Sequence, residues 1–225
     1  MIKAVFMDID NTLLDFHLNA YYALKDAFKA CGLEFKEEYF DTFLKVNDGL
    51  WEKIEKKTLA RAELKVIRFQ LVFKAVGVVG DSVLGEEVFR KKLYEYAYPI
   101  DGAMDVLRYL CGKYRVFAAS NAIEKQQIAR LKRAGMHDLF EKLFISEGIG
   151  HDKPSKEFFD YFFSLVDGVT PQEAVMIGDS LSADIKGGKD YGLTTVWFNR
   201  HGKNNPNPDC VDYEVKSLED IKKIL

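Results

Sequence analysis

The stretch Lys3-Ala-Val-Phe-Met-Asp-Ile-Asp-Asn-Thr-Leu-Leu14 joins a short apolar run to two carboxylates. The apolar run, residues 4–7, is long enough for a buried β-strand. Asp8 and Asp10 follow it, and residues two apart on extended backbone project to the same side. Because neighbouring carboxylates repel each other, such a pair favours a bound cation or a shared proton. At the carboxyl end of a parallel strand, they would face the crevice where open α/β sheets bind ligands. A solvated loop after a strand is the alternative interpretation.

Length and composition restrict the class of protein. The 225 residues suit two domains or one domain with a large insertion, and 48% hydrophobic residues allow a sizeable core. A net charge of −3 argues against binding to nucleic-acid polymers or to membrane surfaces. The chain has no signal-peptide pattern and no apolar stretch near the ~18 residues of a membrane helix. We therefore expect a cytoplasmic protein whose partner is a small molecule. Its expected state is a monomer or weak dimer, although the sequence does not give the oligomeric state.

The three cysteines, Cys31, Cys111 and Cys210, are widely separated and odd in number. No Cys-x-x-Cys spacing is present, so a disulfide framework or a zinc site is not expected. Small buried thiols are the favoured interpretation.

Residues 17 to 97 contain no proline and no clear strand pattern. Apolar residues recur there at helical spacing in four successive segments, which predicts a small helical bundle. After Pro99-Ile-Asp-Gly102 the pattern changes, because helical and strand-like segments alternate. The predicted helices span 103–111, 123–134, 156–166, 182–191 and 218–225, and the strands span 115–119, 142–146, 174–177 and 194–198.

These later strands are continuously apolar, as expected of strands that are covered on both faces. The alternation predicts an α/β fold, a doubly wound parallel sheet that also includes the first strand. The helical bundle is then an insertion after that strand, where it can act as a lid. We expect residues 1–15 and 99–225 to form the core domain and residues 16–98 to form the helical cap.

Polar residues interrupt the apolar strands at four places, each at a strand end. They are Asp8 with Asp10, then Ser120-Asn121, then Lys153-Pro154 beyond the third strand, and finally Gly178-Asp179-Ser180 with Asp184. The carboxyl ends of parallel strands share one edge of a sheet, so that edge is predicted to gather carboxylates, a hydroxyl and an ammonium group. Taken singly, each has a structural explanation: a turn, a surface lysine, a loop, or an acidic residue at a helix start.

The combination indicates phosphoryl chemistry. Carboxylate oxygens without Cys or His select a hard cation, with Mg²⁺ the first choice. Ser120 and Lys153 supply hydrogen-bond donors for a phosphate group. One carboxylate can attack phosphorus, and a second can protonate the leaving oxygen and then deprotonate water.

These segments resemble the four motifs of the haloacid dehalogenase (HAD) superfamily of phosphohydrolases, over essentially the whole chain. The family has a Rossmann-like core, and the helical insertion resembles its cap of the C1 type. The resemblance implies that Asp8 is the nucleophile and Asp10 the general acid/base. It also implies that Mg²⁺ is held by the Asp8 carboxylate, the Asp10 backbone carbonyl and Asp179, with Asp184 in support.

By the same resemblance Ser120 and Lys153 join Asp8 and Asp10 as catalytic residues, and these four together with Asn121 bind the phosphate. The haloalkanoate dehalogenases of the family lack the second motif-one aspartate. Because Asp10 is present here, the resemblance indicates phosphate ester hydrolysis.

The leaving group is predicted from three further segments: Val46-Asn-Asp-Gly-Leu-Trp51, Ile145-Ser-Glu-Gly-Ile-Gly150 and Trp197-Phe-Asn199. They resemble the pyrimidine 5'-nucleotidase branch, which hydrolyses ordinary and non-canonical nucleoside monophosphates. Asn47 would read a base edge and Trp51 or Phe16 would stack on it; packing in the bundle core is the alternative for either aromatic residue.

We thus predict a Mg²⁺-dependent 5'-nucleotidase for pyrimidine nucleoside monophosphates. A sugar phosphomutase or small sugar-phosphate phosphatase is the alternative. A non-catalytic phosphate-binding module is disfavoured because both Asp8 and Asp10 are present.

Overall fold

The structure is a computed structural model that describes all residues from Met1 to Leu225. The chain divides into two compact units. The sheet unit comprises Met1–Phe16 and Ala97–Leu225, and the helical unit comprises His17–Tyr96. In chain order, the helical unit is inserted after the first strand of the sheet unit.

Four helices account for the helical unit: α1 Phe16–Ala30, α2 Glu38–Glu55, α3 Arg61–Val76 and α4 Ser82–Glu95. Their ends follow from the sequence. Gly77 ends α3 with a left-handed φ of 72°, a conformation that glycine adopts without strain. The Asp81 side chain accepts from the backbone N–H groups of Val83 and Leu84 and so caps α4.

The interior of the helical unit contains a buried ion pair as well as aromatic side chains. Arg68 and Glu86 are each 4% exposed. Arg68 Nε donates to Glu86 Oε2 at 3.0 Å, and its guanidinium lies 4.6 Å from the ring centre of Phe89. Asn47 Oδ1 accepts from Arg68 Nη1 at 3.2 Å, so the Arg68 guanidinium has two polar partners inside the bundle.

The sheet unit contains six parallel strands in the order β3-β2-β1-β4-β5-β6. They are β1 Ala4–Met7, β2 Arg115–Ser120, β3 Lys142–Ile145, β4 Ala174–Gly178, β5 Thr194–Phe198 and β6 Tyr213–Val215. The central strand β1 pairs Met7 with Ala118 on one side and with Ile177 on the other. The strand order confirms the predicted doubly wound, Rossmann-like α/β fold.

Both faces of this sheet are buried, which explains the continuous apolar strands. Val5 and Met7 belong to one hydrophobic core, and Ala4 and Phe6 belong to the core on the opposite face. The covering helices are α5 Ala103–Cys111, α6 Glu124–Arg133, α7 Ser146–Ile149, α8 Lys156–Ser164 and α9 Gly187–Tyr191. None of the helices combines the length and apolar composition that a membrane span requires.

Several segments differ from the sequence prediction. Ser146, predicted as the last residue of a strand, begins helix α7, which was not predicted. The predicted helix 182–191 consists of a π-helical segment, Leu181–Lys186, followed by α9. The predicted helix 218–225 is a 3₁₀ segment, Leu218–Lys223. Strand β6 was not predicted, because two of its three residues are exposed and an edge strand of this kind shows no apolar run in the sequence.

Candidate active site

Asp8 lies directly beyond β1, and its backbone N–H continues the ladder to Ile177 O at 2.9 Å. The chain then turns at Asn11, whose φ of 60° is left-handed, a region that Asn tolerates better than most residues. This turn brings Thr12 back to the strand end, where Thr12 Oγ1 donates to Asp8 Oδ2 at 3.1 Å. The Asp8 carboxylate is thereby held on one side by a hydroxyl group from its own turn.

Lys153 holds the other side of the Asp8 carboxylate. It is 1% exposed, and its Nζ donates to Asp8 Oδ1 at 2.9 Å, to Asp184 Oδ1 at 2.5 Å and to Ala119 O at 2.5 Å. These bonds use all the donors of an ammonium group. Burial lowers the pKa of Lys153, but Asp184 and Asp8 raise it by more, so the net pKa is raised and the side chain stays charged.

Three carboxylates converge beside this ammonium group. Oxygens of Asp8, Asp179 and Asp184 lie within 4.8 Å of one another. Burial raises the pKa of Asp8 well above its usual value, although Lys153 opposes the shift. Asp179 is partly exposed as a residue, but burial of its carboxyl group, followed by repulsion from Asp184, raises its pKa to about 7. One ammonium cannot neutralise three carboxylates, so the cluster fits a hard divalent cation.

The loop after β4 brings Asp179 and Asp184 into this cluster. A Cβ atom on Gly178 would lie 2.1 Å from Asp184 Oδ2, so only glycine fits there. Ser180 N donates to Asp184 Oδ2 at 3.1 Å, and Trp197 Nε1 donates to Asp179 O at 3.0 Å. The π-helical segment that carries Asp184 is of a type often found at functional sites.

Ser120 and Asn121 at the end of β2 have different surroundings. Ser120 is 1% exposed, and its Oγ accepts from Gln127 Nε2 at 3.0 Å. The Asn121 amide bonds the Lys153 backbone twice, accepting from its N–H and donating to its carbonyl, each at 2.8 Å. Asn121 thus positions Lys153, while its expected phosphate contact stays a prediction.

The Asp10 side chain is directed to helix α6. Asp10 Oδ1 accepts from Arg130 Nη1 at 2.6 Å, and Asp10 Oδ2 accepts from Gln127 Nε2 at 2.6 Å. Neither α6 residue was predicted as a site residue. The only signal in the sequence was their spacing, since residues three apart on a helix share a face. This face of α6 also has few apolar residues, so polar side chains must lie against the sheet.

The residues predicted to recognise the base lie in and next to the helical unit. Asn47 is 2% exposed and bonds Arg68. Trp51 is half-buried against a small apolar cluster. The guanidinium carbon of Arg61 lies 5.8 Å from the centre of the Trp51 ring. Phe16, also half-buried, is the first residue of α1. Their contact with a substrate stays a prediction.

The sheet and its acidic edge define a Rossmann-like α/β protein with three carboxylates clustered beside a buried lysine. A family model described as haloacid dehalogenase-like hydrolase matches residues 2–192. The chain therefore belongs to the haloacid dehalogenase-like hydrolase family.

Its relatives match over nearly their whole length. The HAD-hydrolase YfnB of Bacillus subtilis is 33% identical over 223 residues, covering 99% of this chain and 95% of YfnB. The pyrimidine 5'-nucleotidase PynA of Streptococcus pneumoniae is 33% identical over 224 residues, covering 99% of this chain and 94% of PynA. The pyrimidine 5'-nucleotidase YjjG of Escherichia coli is 29% identical over 221 residues, covering 98% and 96%.

A crystal structure of YfnB, described as bound to magnesium and as revealing interdomain movement, has the same fold. It matches with a TM-score of 0.93 at 33% identity and covers 100% of this chain and 98% of that one.

Proposed function

We propose that the protein is a Mg²⁺-dependent phosphomonoester hydrolase that works through an aspartyl-phosphate intermediate, and that its substrates are pyrimidine nucleoside 5'-monophosphates, including non-canonical ones. Two full-length relatives named pyrimidine 5'-nucleotidases support the substrate class.

The observation that carries the reaction class is the position of Lys153, buried between Asp8 and Asp184 with Asp179 beside them. An anionic nucleophile can approach an anionic phosphoryl group only where positive charge offsets the repulsion. Lys153 Nζ and Thr12 Oγ1 each bond one oxygen of Asp8. The carboxylate is therefore held in one orientation before a substrate arrives, as in-line attack requires.

The proposed reaction has two steps. An Asp8 carboxylate oxygen bonds to phosphorus while the ester P–O bond breaks, and Asp10 gives its proton to the leaving nucleoside oxygen. Asp10, now ionised, then takes a proton from a water molecule whose oxygen bonds to the same phosphorus atom. The Asp8–phosphorus bond breaks, inorganic phosphate is released, and Asp10 is protonated again.

Asp8 and Asp179, with Asp184 beside them, would hold the Mg²⁺ ion, together with the Asp10 backbone carbonyl that the family resemblance adds. The ion would supply positive charge to the phosphoryl oxygens. The magnesium-bound structure described for YfnB supports this choice of metal. Ser120 would bind a phosphoryl oxygen, and Lys153 would do so after giving up one of its three hydrogen bonds. Asn121 would contribute through its bonds to the Lys153 backbone.

We propose that residues 1–15 and 99–225 form the catalytic core and that residues 16–98 form a cap. The cap would select the nucleoside. Phe16 and Trp51 would stack on the base. The amide of Asn47 would read its edge after giving up part of its bonding with Arg68.

A substrate panel tests the proposal. The protein, with Mg²⁺ or with a chelator, is assayed on pyrimidine and purine nucleoside monophosphates, hexose phosphates and glycolytic triose phosphates. We expect phosphate release only with Mg²⁺ and the highest kcat/KM for the pyrimidine nucleotides. A much higher kcat/KM for hexose phosphates would refute pyrimidine nucleotides as the substrate class and indicate a sugar-phosphate phosphatase. A requirement for a bisphosphate activator would indicate a mutase.

Asp8→Asn separates chemistry from folding in the same assay. Since it removes the nucleophile but keeps the shape of the side chain, we expect no turnover and an unchanged circular dichroism spectrum. Turnover by this variant would refute the role given to Asp8.

A further inference from the structure

We propose that Gln127 and Arg130, on one face of α6, are positioning residues that hold the general acid/base Asp10 and the hydroxyl of Ser120 in one hydrogen-bonded chain. The inference rests on the function proposed above and adds two residues to its machinery. Neither side chain belongs to the four sequence motifs.

Each oxygen of the Asp10 carboxylate receives a separate donor. Arg130 Nη1 lies 2.6 Å from Oδ1, and Gln127 Nε2 lies 2.6 Å from Oδ2. The Asp10 side chain is 28% exposed, whereas that of Arg130 is 2% exposed. A flexible, partly exposed carboxylate is thus fixed by groups that are themselves buried in the helix packing. With both oxygens bonded, rotation about the Cβ–Cγ bond of Asp10 is restricted.

The orientation of the Gln127 amide follows from its two neighbours. Its Oε1 accepts from Arg130 Nη1 at 2.9 Å, and a guanidinium group can only donate. Its Nε2 faces Oδ2 of Asp10, which can accept a hydrogen bond whether or not the carboxyl group carries its catalytic proton. A flipped amide would place two donors together at Arg130 and two acceptors together at Asp10, so the observed orientation is the one that satisfies both.

This orientation determines how Ser120 can bond. Gln127 Nε2 also lies 3.0 Å from Ser120 Oγ, and because the amide nitrogen donates, Ser120 Oγ accepts. The hydroxyl proton of Ser120 is therefore left to donate elsewhere, as a phosphate-binding residue requires. One amide group thus prepares both the acid/base carboxylate and the phosphate-binding hydroxyl.

The other two nitrogens of the Arg130 guanidinium indicate a functional reason for its burial. Its Nε and Nη2 atoms are buried and have no hydrogen-bond partner in the structure. A buried donor without a partner is unfavourable, and an apolar side chain of similar size would fill the space without that penalty. What an apolar residue cannot supply is the bond from Nη1 to Asp10.

Leaving groups distinguish positioning of the acid from general damage to the site. The 5'-oxygen of a nucleoside must be protonated as it leaves, whereas nitrophenolate is a stable anion that leaves without a proton. The first phosphoryl transfer is measured in single turnovers of the Mg²⁺-loaded enzyme, with the best nucleoside monophosphate of the panel and with p-nitrophenyl phosphate. The variants are Arg130→Met and Arg130→Lys, and the control is Arg133→Met, an exposed arginine on the same helix.

We expect Arg130→Met to slow release of the nucleoside by about 100-fold or more, within the range that general acids contribute. Release of nitrophenolate from the same variant should change by less than about threefold and then stall at the acyl-phosphate stage, because Asp10 is also the base for hydrolysis. Arg133→Met should match the wild type with both substrates. Arg130→Lys keeps a cation but reaches only one of the two acceptors, Asp10 Oδ1 or Gln127 Oε1. Its nucleoside release should therefore also be slowed more than its nitrophenolate release, but by a smaller factor than in Arg130→Met.

Equal slowing of both substrates by Arg130→Lys and Arg130→Met would overturn the inference, because it would indicate distortion of the whole site. No slowing of either would overturn it as well. If Arg130→Met does not fold, the result with Arg130→Lys decides. A wild-type protein that hydrolyses no phosphate ester would instead refute the proposed function, so the two failures are distinguishable.

Discussion

Replacing Lys153 with Met removes a buried ammonium group and keeps a side chain of similar length. In the wild type this group is 1% exposed and bonds Asp8, Asp184 and the Ala119 carbonyl. The substitution leaves two buried carboxylates next to Asp179 with no opposite charge. Removing one partner of a buried ion pair typically lowers the free energy of unfolding by about 3–5 kcal/mol, and we expect that loss in the absence of a divalent cation at about pH 8.

The loss should shrink in acid. Lys153 lowers the pKa of Asp8, which burial raises, so its removal raises that pKa further. The folded variant then binds more protons than the unfolded chain, and its stability increases as the pH falls. At about pH 5.5 the difference from the wild type should be clearly smaller than at about pH 8.

The measurement is urea unfolding in EDTA, followed by tryptophan fluorescence. The chain has two tryptophans, Trp51 and Trp197. In a Trp51→Phe background the signal comes from Trp197, which is 1% exposed within the sheet unit and bonds Asp179 O. Lys156→Met is the matched control, because Lys156 pairs with Asp160 while 75% of its side chain is exposed. We expect the loss in that control to stay below about 1 kcal/mol.

A loss below about 1 kcal/mol for Lys153→Met, the level of an exposed ion pair, would show that Lys153 does not neutralise the cluster. An equal loss at both pH values would refute the explanation by unpaired carboxylates.

Three further predictions concern the metal, the helical unit and the loop after β4. Burial and Asp184 raise the pKa of Asp179 from 3.8 to about 7, so the metal-free protein should lose stability as the pH rises from about 4 to about 7. Protons should compete with Mg²⁺ for this carboxylate over the same pH range. Thermal melting should therefore show a larger stabilisation by Mg²⁺ at about pH 8 than at about pH 5.5. Glu86→Gln leaves the buried Arg68 charge without its partner and should lower the free energy of unfolding by about 3–5 kcal/mol. The double variant Arg68→Met with Glu86→Leu removes both charges and should lower it by less. Circular dichroism melts measure both, and a double variant less stable than the single one would contradict this prediction. Gly178→Ala places a Cβ atom 2.1 Å from Asp184 Oδ2, so kcat/KM on the best substrate should fall by about 100-fold; wild-type kinetics would show that the loop adapts.

The sequence alone predicted the α/β fold and the strand ends that carry polar residues. Strand β1 and the residues after it are read from a local pattern, an apolar run followed by acids. Both faces of the sheet are covered, so burial appears in the sequence as uninterrupted apolar strands. Because parallel strands share one carboxyl edge, Asp8 and Asp179 could be placed together without coordinates.

Only the tertiary structure decided which donors bond these groups. Asp10 bonds Gln127, 117 positions away, and Arg130, 120 positions away, and no local period encodes a pairing over such a distance. Asn47 was chosen as a base-reading residue, but the structure shows the ion pair of Arg68 and Glu86 against which it lies. Periodicity reports which face of an element is buried; which polar groups meet there depends on how separate elements pack, and that is settled by the folded chain as a whole.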